Sequence, residues 1–239
     1  MAPNPIFSAT LQAALLGAIS NILAQLIQSY RNQTALEVDW IPVFQFLIFS
    51  IISTPPNFIW QDYLESTFPA RNRIPPSSPP AAAAAIKSQK SSQKPAPKKT
   101  SPEQQQQQQQ HQQPLNIRNT LTKFILDQTL GATLNTLLFS LYIHSIHMAM
   151  PHAPRLTSFT KAASYWVSPG VIDFSIVDTR LVLQAALAEF WTIVLAGIKL
   201  WPAVSLLNYT LVRTVEGRSL VGCVAGLGWG VYMSMMAAQ

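Results

Sequence analysis

The stretch FSATLQAALLGAISNILAQLIQ, residues 7–28, contains no charged side chain over 22 positions. A helix of that length is about 33 Å long, which is enough to cross the hydrocarbon core of a bilayer. A secretory signal peptide has a basic start and a mitochondrial presequence is rich in arginine, whereas the first Lys or Arg of this chain is Arg31. We therefore predict a first membrane-spanning helix that stays on the mature protein.

Four further apolar stretches follow the first one. Residues 40–60 carry no charge and are bracketed by Trp40 and Trp60, as is typical of aromatic residues at membrane interfaces. Pro55 and Pro56 are expected to bend or end that second helix, because proline cannot donate a backbone hydrogen bond. The remaining predicted spans cover residues 121–148, 185–212 and 219–238.

The composition of the whole chain agrees with residence in a membrane. Of its 239 residues, 49% are hydrophobic and only 11% are charged, whereas soluble domains carry about 25% charged residues. This excludes an ordinary cytosolic globule, which needs a charged surface. The single cysteine, Cys223, excludes a disulfide within the chain.

Residues 69–115 have a different composition, with five consecutive alanines, seven consecutive glutamines and many Pro, Ser and Lys residues. Such a segment cannot bury enough apolar surface to offset the entropy of ordering it. We predict a disordered, basic loop that acts as a solvated tether, with attraction to anionic lipid headgroups as the alternative. It contains no Phe, Tyr or Trp, so we expect no nucleic-acid partner.

The basic residues also predict an orientation. Together, the loop at 69–115 and the short turn at 213–218 hold nine Lys and Arg, whereas the other two connections hold four, namely Arg31, Arg155, Lys161 and Arg180. The loop and the turn lie on one side if all five stretches cross. The positive-inside rule then places the N-terminus and the loop in the cytosol or the matrix. The predicted fold is all-α: a polytopic transmembrane helical bundle with four to five spans. Its first two helices lie in residues 1–68, the loop in 69–115 and the other helices in 116–239.

The first and third predicted helices each carry a polar stripe along one face. Polar groups inside a bilayer are costly and point toward the bundle interior, where they hydrogen-bond to other helices or line an aqueous path. Both interpretations stay open, and the second predicts a pore. The stripes consist of Gly17, Asn21, Gln25 and Gln28 on the first helix and of Asp127, Gly131 and Asn135 on the third.

Asp127 is the carboxylate best placed within a predicted span. It falls near the side on which the turn at 213–218 is expected to emerge. We therefore predict an ion pair between Asp127 and Arg213 or Arg218.

The last predicted helix carries a glycine every four residues, at Gly222, Gly226 and Gly230. Small residues at this spacing let the backbones of two membrane helices approach closely. The ridge predicts packing inside the bundle, with contact between subunits of a homo-oligomer or lining of a water-filled path as alternatives.

The sequence contains no common catalytic or nucleotide-binding motif. His144 and His147 share a helix face, but no Cys, Asp or Glu lies close enough in sequence to complete a metal site with them. We interpret them as interfacial histidines, and we expect no enzyme activity, no metal and no cofactor.

The C-terminal third resembles the Mpv-seventeen and peroxisomal membrane protein twenty-two family. The resemblance rests on WPAVSLLNY, in which Trp201, Pro202, Asn208 and Tyr209 match the family motif, and on Trp229, Tyr232 and Ser234 in a W-x-x-Y-[LM]-S motif. Weaker similarities are Lys123-x-x-x-Asp127-Gln128 and the pair of Pro56 with Trp60.

The resemblance implies an all-helical protein of the mitochondrial inner membrane or, as the less favoured location, the peroxisomal membrane. Several relatives are regarded as weakly selective channels for small solutes that affect metabolite and redox balance. We therefore expect a channel or facilitator in contact with lipid, with a non-conducting scaffold protein as the alternative. Members are usually drawn with four spans, so an interfacial helix kinked at Pro202 is the alternative for residues 185–212.

Overall fold

The computed structural model describes residues 5–35, 37–69, 116–210 and 215–237, with the side chains of 208–220, 222, 223 and 237 left out of the description. No strand occurs in these ranges, so the prediction of an all-α chain is confirmed for them. The predicted disordered loop at 69–115 lies outside the described residues from position 70 onward.

The described ranges contain seven α-helices and two short helical turns. A π-helical turn, Asp127–Gly131, joins α3 to α4 and makes the third predicted span one helical run. A 3₁₀ turn, Phe174–Ile176, precedes α6. The helices are α1 (Pro5–Arg31), α2 (Trp40–Thr67), α3 (Ile117–Leu126), α4 (Ala132–Ala149), α5 (Phe159–Trp166), α6 (Thr179–Thr210) and α7 (Val215–Ala237).

The chain divides into two compact units, one of residues 1–61 with 126–239 and the other of residues 62–125. In the larger unit, α1 packs along α7 and α4 packs along α6. Its apolar core joins side chains of α2, α4, α6 and α7, among them Phe46, Phe139, Ile143, Ile193 and Met233.

In the smaller unit, Lys123 is buried and its ammonium group forms an ion pair with the carboxylate of Glu65. The side-chain amide of Asn119 donates to the carbonyl oxygen of Pro69 at 3.1 Å. These polar contacts connect the end of α2 to α3 within the unit.

The larger unit buries polar side chains and exposes apolar ones. On α1, Leu11 and Leu15 are 54% and 56% exposed, whereas Ser20 and Asn21 are 1% and 3% exposed. A water-soluble helix shows the opposite distribution, because apolar surface is removed from water on folding. The arrangement instead suits a protein whose outer surface lies in lipid.

Three of the described helices are long and apolar enough to cross a membrane: Pro5–Arg31, Trp40–Thr67 and Thr179–Leu207. They correspond to the first, second and fourth predicted spans. The last of them has the highest mean hydropathy of the three, 1.9, which favours a crossing over the interfacial alternative. The predicted spans at 121–148 and 219–238 are helical but are not among these three, so the count of four to five stays a prediction.

Of the two alternatives for Pro55 and Pro56, the one in which they end the second helix is wrong, and a bend stays a prediction. α2 continues through Pro55 and Pro56 as far as Thr67. In the turn before them, the hydroxyl of Thr54 donates to the carbonyl oxygen of Ser50 at 2.6 Å. The carbonyls that lose a backbone donor to Pro55 and Pro56 are those of Ile51 and Ile52, so this bond does not replace the lost ones. Membrane helices tolerate such prolines where neighbouring groups satisfy the freed carbonyls.

The connection between α4 and α6 has structure that the sequence did not predict, because it contains α5 and the 3₁₀ turn. It is tied to the turn between α1 and α2. The backbone N–H of Trp40 donates to Leu156 O at 2.9 Å, and the indole N–H of Trp40 donates to Thr157 O at 3.1 Å. The carboxylate of Asp39 accepts from the backbone N–H of Leu156 at 3.2 Å.

Asp173 caps the 3₁₀ turn of this connection. Its Oδ1 accepts from the hydroxyl of Ser175 at 2.5 Å and from the backbone N–H of Ser175 at 2.9 Å. Both bonds lower the pKa of Asp173 below its ordinary value, and the bond from the Ser175 hydroxyl has the larger effect. The cap is therefore formed above the ordinary pKa of an aspartate and is lost as pH falls through the lowered value.

Candidate functional site

The larger unit encloses two cavities lined by polar side chains. Cavity I has a volume of about 380 Å³ and lies beside the turn between α1 and α2. Its polar lining includes Asn21, Gln25, Gln28, Gln45 and Ser234, together with the ionisable residues Glu37, Asp39, His147 and Arg155.

Cavity II has a volume of about 430 Å³ and is lined by α1, α2, α4, α6, α7 and the π-helical turn. Asp127 is the one charged residue among the described residues that line it. The other polar lining groups are hydroxyls and amides, namely Ser20, Ser50, Ser53, Thr54, Asn57, Gln61, Gln128, Asn135, Thr136 and Ser205.

The polar side chains of the two predicted stripes line different cavities. Asn21, Gln25 and Gln28 line cavity I, whereas Asp127 and Asn135 line cavity II. Gly17 of the first stripe lines cavity II together with Gly131. A path between the two stripes therefore stays a prediction. The sequence gives the face that a side chain occupies but not its depth, and the first stripe extends from one cavity to the other.

The stripe of α1 also connects helices. The side-chain amide of Asn21 donates to the hydroxyl of Ser234 on α7 at 2.5 Å, and its oxygen accepts from Gln25 at 2.8 Å. Gln25 forms two further hydrogen bonds, both at 2.8 Å, with the backbone N–H and C=O of Asp39. These bonds hold α1 to α7 and to the turn that follows α1.

A double-mutant cycle measures the first of these contacts. We expect Asn21→Leu and Ser234→Ala each to lower the stability of the detergent-solubilised protein, with a coupling energy of about 1 kcal/mol, because hydrogen bonds between membrane helices have that magnitude. Thermal unfolding of the four proteins gives the coupling. Strictly additive losses would contradict the contact.

Asp127 begins the π-helical turn, and both of its described hydrogen bonds end on Oδ1. The side-chain amide of Gln61 donates to it at 2.7 Å and the indole N–H of Trp60 at 3.2 Å. A Cβ atom on Gly131 would lie 2.9 Å from Asp127 Oδ1 and from Trp60 Nε1. Glycine at this position therefore allows the indole to reach the carboxylate.

The predicted ion pair of Asp127 concerns residues that the description leaves out. Arg213 and the side chain of Arg218 lie outside the described residues. The partners that the structure gives, Trp60 and Gln61, were not predicted. The sequence could have indicated both partners. Trp60 ends the second apolar stretch, Gln61 follows it, and a carboxylate within a span needs nearby hydrogen-bond donors.

The three glycines of the predicted ridge on α7 do not share one environment. A Cβ atom on Gly230 would lie 2.5 Å from Ser20 Oγ, so this glycine packs closely against α1. A Cβ atom on Gly226 would have no neighbour within 4 Å, because Gly226 lines cavity II. Gly226 therefore does not pack closely within the chain, and contact between subunits or lining of a water-filled path stays a prediction for it. The side-chain surroundings of Gly222 lie outside the described residues.

Glu189 is held by two side chains of α4. The imidazole Nε2 of His144 lies 3.2 Å from Glu189 Oε2, and the hydroxyl of Ser140 donates to the same oxygen at 3.3 Å. None of the three lines either cavity. His144 thus lies between α4 and α6, and its place at a membrane interface stays a prediction. No spacing in the sequence pairs His144 with Glu189.

The motif residues of the C-terminal third form an aromatic cluster. The rings of Trp201 and Trp229 lie 6.0 Å apart edge to face, and those of Trp229 and Tyr232 are stacked at 5.3 Å. Both tryptophans line cavity II. Pro202 lies inside α6, while the side chains of Asn208 and Tyr209 lie outside the description.

Comparison with known proteins gives one finding. Residues 178–234 match the Mpv17 / PMP22 family. The match confirms the resemblance, because both of the quoted motifs lie within it. No curated protein and no solved structure matches the chain.

Proposed function

Given the family match at residues 178–234, we propose that this chain is an integral protein of an organellar membrane and forms a weakly selective channel or facilitator for small solutes. The mitochondrial inner membrane is the favoured location over the peroxisomal membrane. Four to five helices cross the bilayer in this proposal, and the partners are lipid and small solutes rather than nucleic acid. The chain performs no chemical reaction.

The observation that carries the proposal is the lining of cavity II. Hydroxyl and amide groups from four helices and the π-helical turn converge there inside a unit whose outer helix faces are apolar. Polar groups in a membrane that only join helices would be saturated by one another. Ser53, Asn57 and Asn135 instead border a space large enough for several water molecules.

The charges around the cavities predict a preference for cations. Asp127 is the only charged group among the described residues lining cavity II. Cavity I has two carboxylates, Glu37 and Asp39, against the guanidinium of Arg155. Rings and clusters of carboxylates favour cations in membrane pores.

Planar-bilayer recording tests the proposal. We expect discrete conductance steps from the purified protein, and we expect Asp127→Asn to lower the ratio of cation to anion permeability roughly fivefold, since one partly screened charge contributes about 1 kcal/mol. Asp62→Asn is the matched control, because Asp62 is exposed and lines neither cavity. An unchanged ratio in Asp127→Asn would remove the assigned role of this carboxylate.

A non-conducting scaffold protein is the second candidate. The hydrogen bonds of Asn21 and Gln25 favour it, because they use these amides to hold α1 to α7 and to the adjacent turn. Electrical silence across independent preparations that are monodisperse in detergent would support this candidate and overturn the channel.

A further inference from the structure

The two cavities meet at one level of the bundle. On four helices, the residues that line cavity II lie on one side of this level and the residues that line cavity I lie on the other. On α1, Ser20 lines cavity II and the next residue, Asn21, lines cavity I. On α7, Met233 lines cavity II and Ser234 lines cavity I. Phe46 of α2 lines both cavities.

The same change occurs on α4. Phe139 lines cavity II, and Ile143, one turn later, lines cavity I. The ring of Phe139 lies 6.0 Å from that of Phe46 in an edge-on contact.

The residues at this level are almost inaccessible, although each borders a cavity. Phe46 is 5% exposed, Ile143 is 3% exposed and Met233 is 4% exposed. The amide of Asn21 donates to the hydroxyl of Ser234 and accepts from Gln25. The layer thus combines apolar side chains with polar ones that bond within the protein, and it offers little hydration to a passing solute.

The layer lies within the helices rather than at their ends. Phe46 is six residues into α2, about 9 Å from its first residue, and Asn21 precedes the end of α1 by ten residues, about 15 Å. A barrier at that depth separates the two cavities inside the bundle.

We propose that this layer is a septum centred on Phe46, which closes the path between cavity I and cavity II and sets the size of the solutes that pass. The inference rests on the proposed function and deepens it. Hydrophobic constrictions close a pore by excluding water even where the physical gap is wide enough to admit it. Removing the ring of Phe46 joins the two cavities, because that side chain is the one shared by both linings.

Solute efflux from proteoliposomes tests the septum. With an entrapped radiolabelled hexose, we expect Phe46→Ala to raise the efflux rate roughly tenfold over the protein with Phe46, because the substitution removes the ring that separates the two cavities. Phe44→Ala is the matched control on the same helix, since Phe44 packs against Phe159 and Trp166 and lines neither cavity. If Phe46→Ala does not yield monodisperse protein, Phe46→Leu replaces it, with a smaller rise expected.

Cysteine labelling tests the septum without relying on transport. In a Cys223→Ala background, Gln28→Cys marks cavity I and Ser53→Cys marks cavity II. A charged, membrane-impermeant thiol reagent added from one side is expected to label only one of the two cysteines. With Phe46→Ala added, we expect the same reagent to label both.

The outcomes separate the two proposals. If both cysteines react equally from one side while Phe46 is present, the septum is overturned, and efflux from that protein still supports the channel. If labelling is one-sided and becomes two-sided with Phe46→Ala, the septum stands. Absence of efflux from every variant would then overturn the channel alone.

Discussion

Replacing Gly230 by leucine is expected to separate α1 from α7 and to give the largest loss of stability of any single change considered for the larger unit. The first atom of the new side chain would lie 2.5 Å from Ser20 Oγ and 2.7 Å from Ser20 Cβ. Ser20 cannot turn away freely, because its hydroxyl donates to Leu16 O at 2.7 Å and lies 3.2 Å from Leu227 O. Overpacking of this kind costs about 3 kcal/mol.

Gly228→Leu is the matched control for this prediction. A Cβ atom on Gly228 would meet nothing within 4 Å, and leucine favours a helix more than glycine does. We therefore expect Gly228→Leu to melt at or above the temperature of the starting protein. Thermal unfolding in detergent, followed by tryptophan fluorescence and gel filtration, gives the comparison, and equal melting temperatures for the two leucine variants would refute close packing at Gly230.

Replacing Glu65 by leucine is expected to destabilise the smaller unit by leaving the ammonium group of Lys123 without its carboxylate partner. Lys123 is 5% exposed, and removing one partner of a buried ion pair costs about 3 kcal/mol or more. The side chain of Glu65 is 58% exposed, so solvent screening reduces the expected loss to about 2 kcal/mol.

A second substitution distinguishes an unpaired charge from lost packing. With Lys123→Met added to Glu65→Leu, we expect most of the lost stability to return, because an apolar pair can replace an ion pair at little cost. Chemical unfolding of the four proteins in detergent measures the recovery. If the double variant loses as much as the two single changes together, the ion pair has no role in stability.

The apolar stretches show how much of the helical structure the sequence predicts. The charge-free run at 7–28 predicts a membrane helix, and α1 covers it with a few residues to spare at each end. The span at 185–212, interrupted by Glu189, Lys199 and Pro202, is the least regular in sequence, yet α6 has the highest mean hydropathy of the three candidate crossings. Whether a helix can span a membrane depends on its composition over about twenty residues, and single charged or proline residues within it do not change the result.

Only part of the candidate site could be predicted from the sequence. Spacing along a helix placed Asn21, Gln25 and Gln28 on one face, and in the structure all three line cavity I. It could not show that Asn135 faces a different cavity, because helical periodicity gives the direction of a side chain and not its level relative to other helices. Ring contacts such as that of Phe46 with Phe139 join residues far apart in sequence.

The sequence alone determined that this chain is helical, that its long apolar runs suit a bilayer and that its C-terminal motifs resemble one family. Each of these follows from local composition and spacing, which fix hydrophobic length and helical face. The tertiary structure decided the partners of Asp127, the unequal roles of Gly226 and Gly230 and the division of the polar interior at Phe46. These features depend on which helix lies beside which and at what depth, and packing between distant segments sets that arrangement.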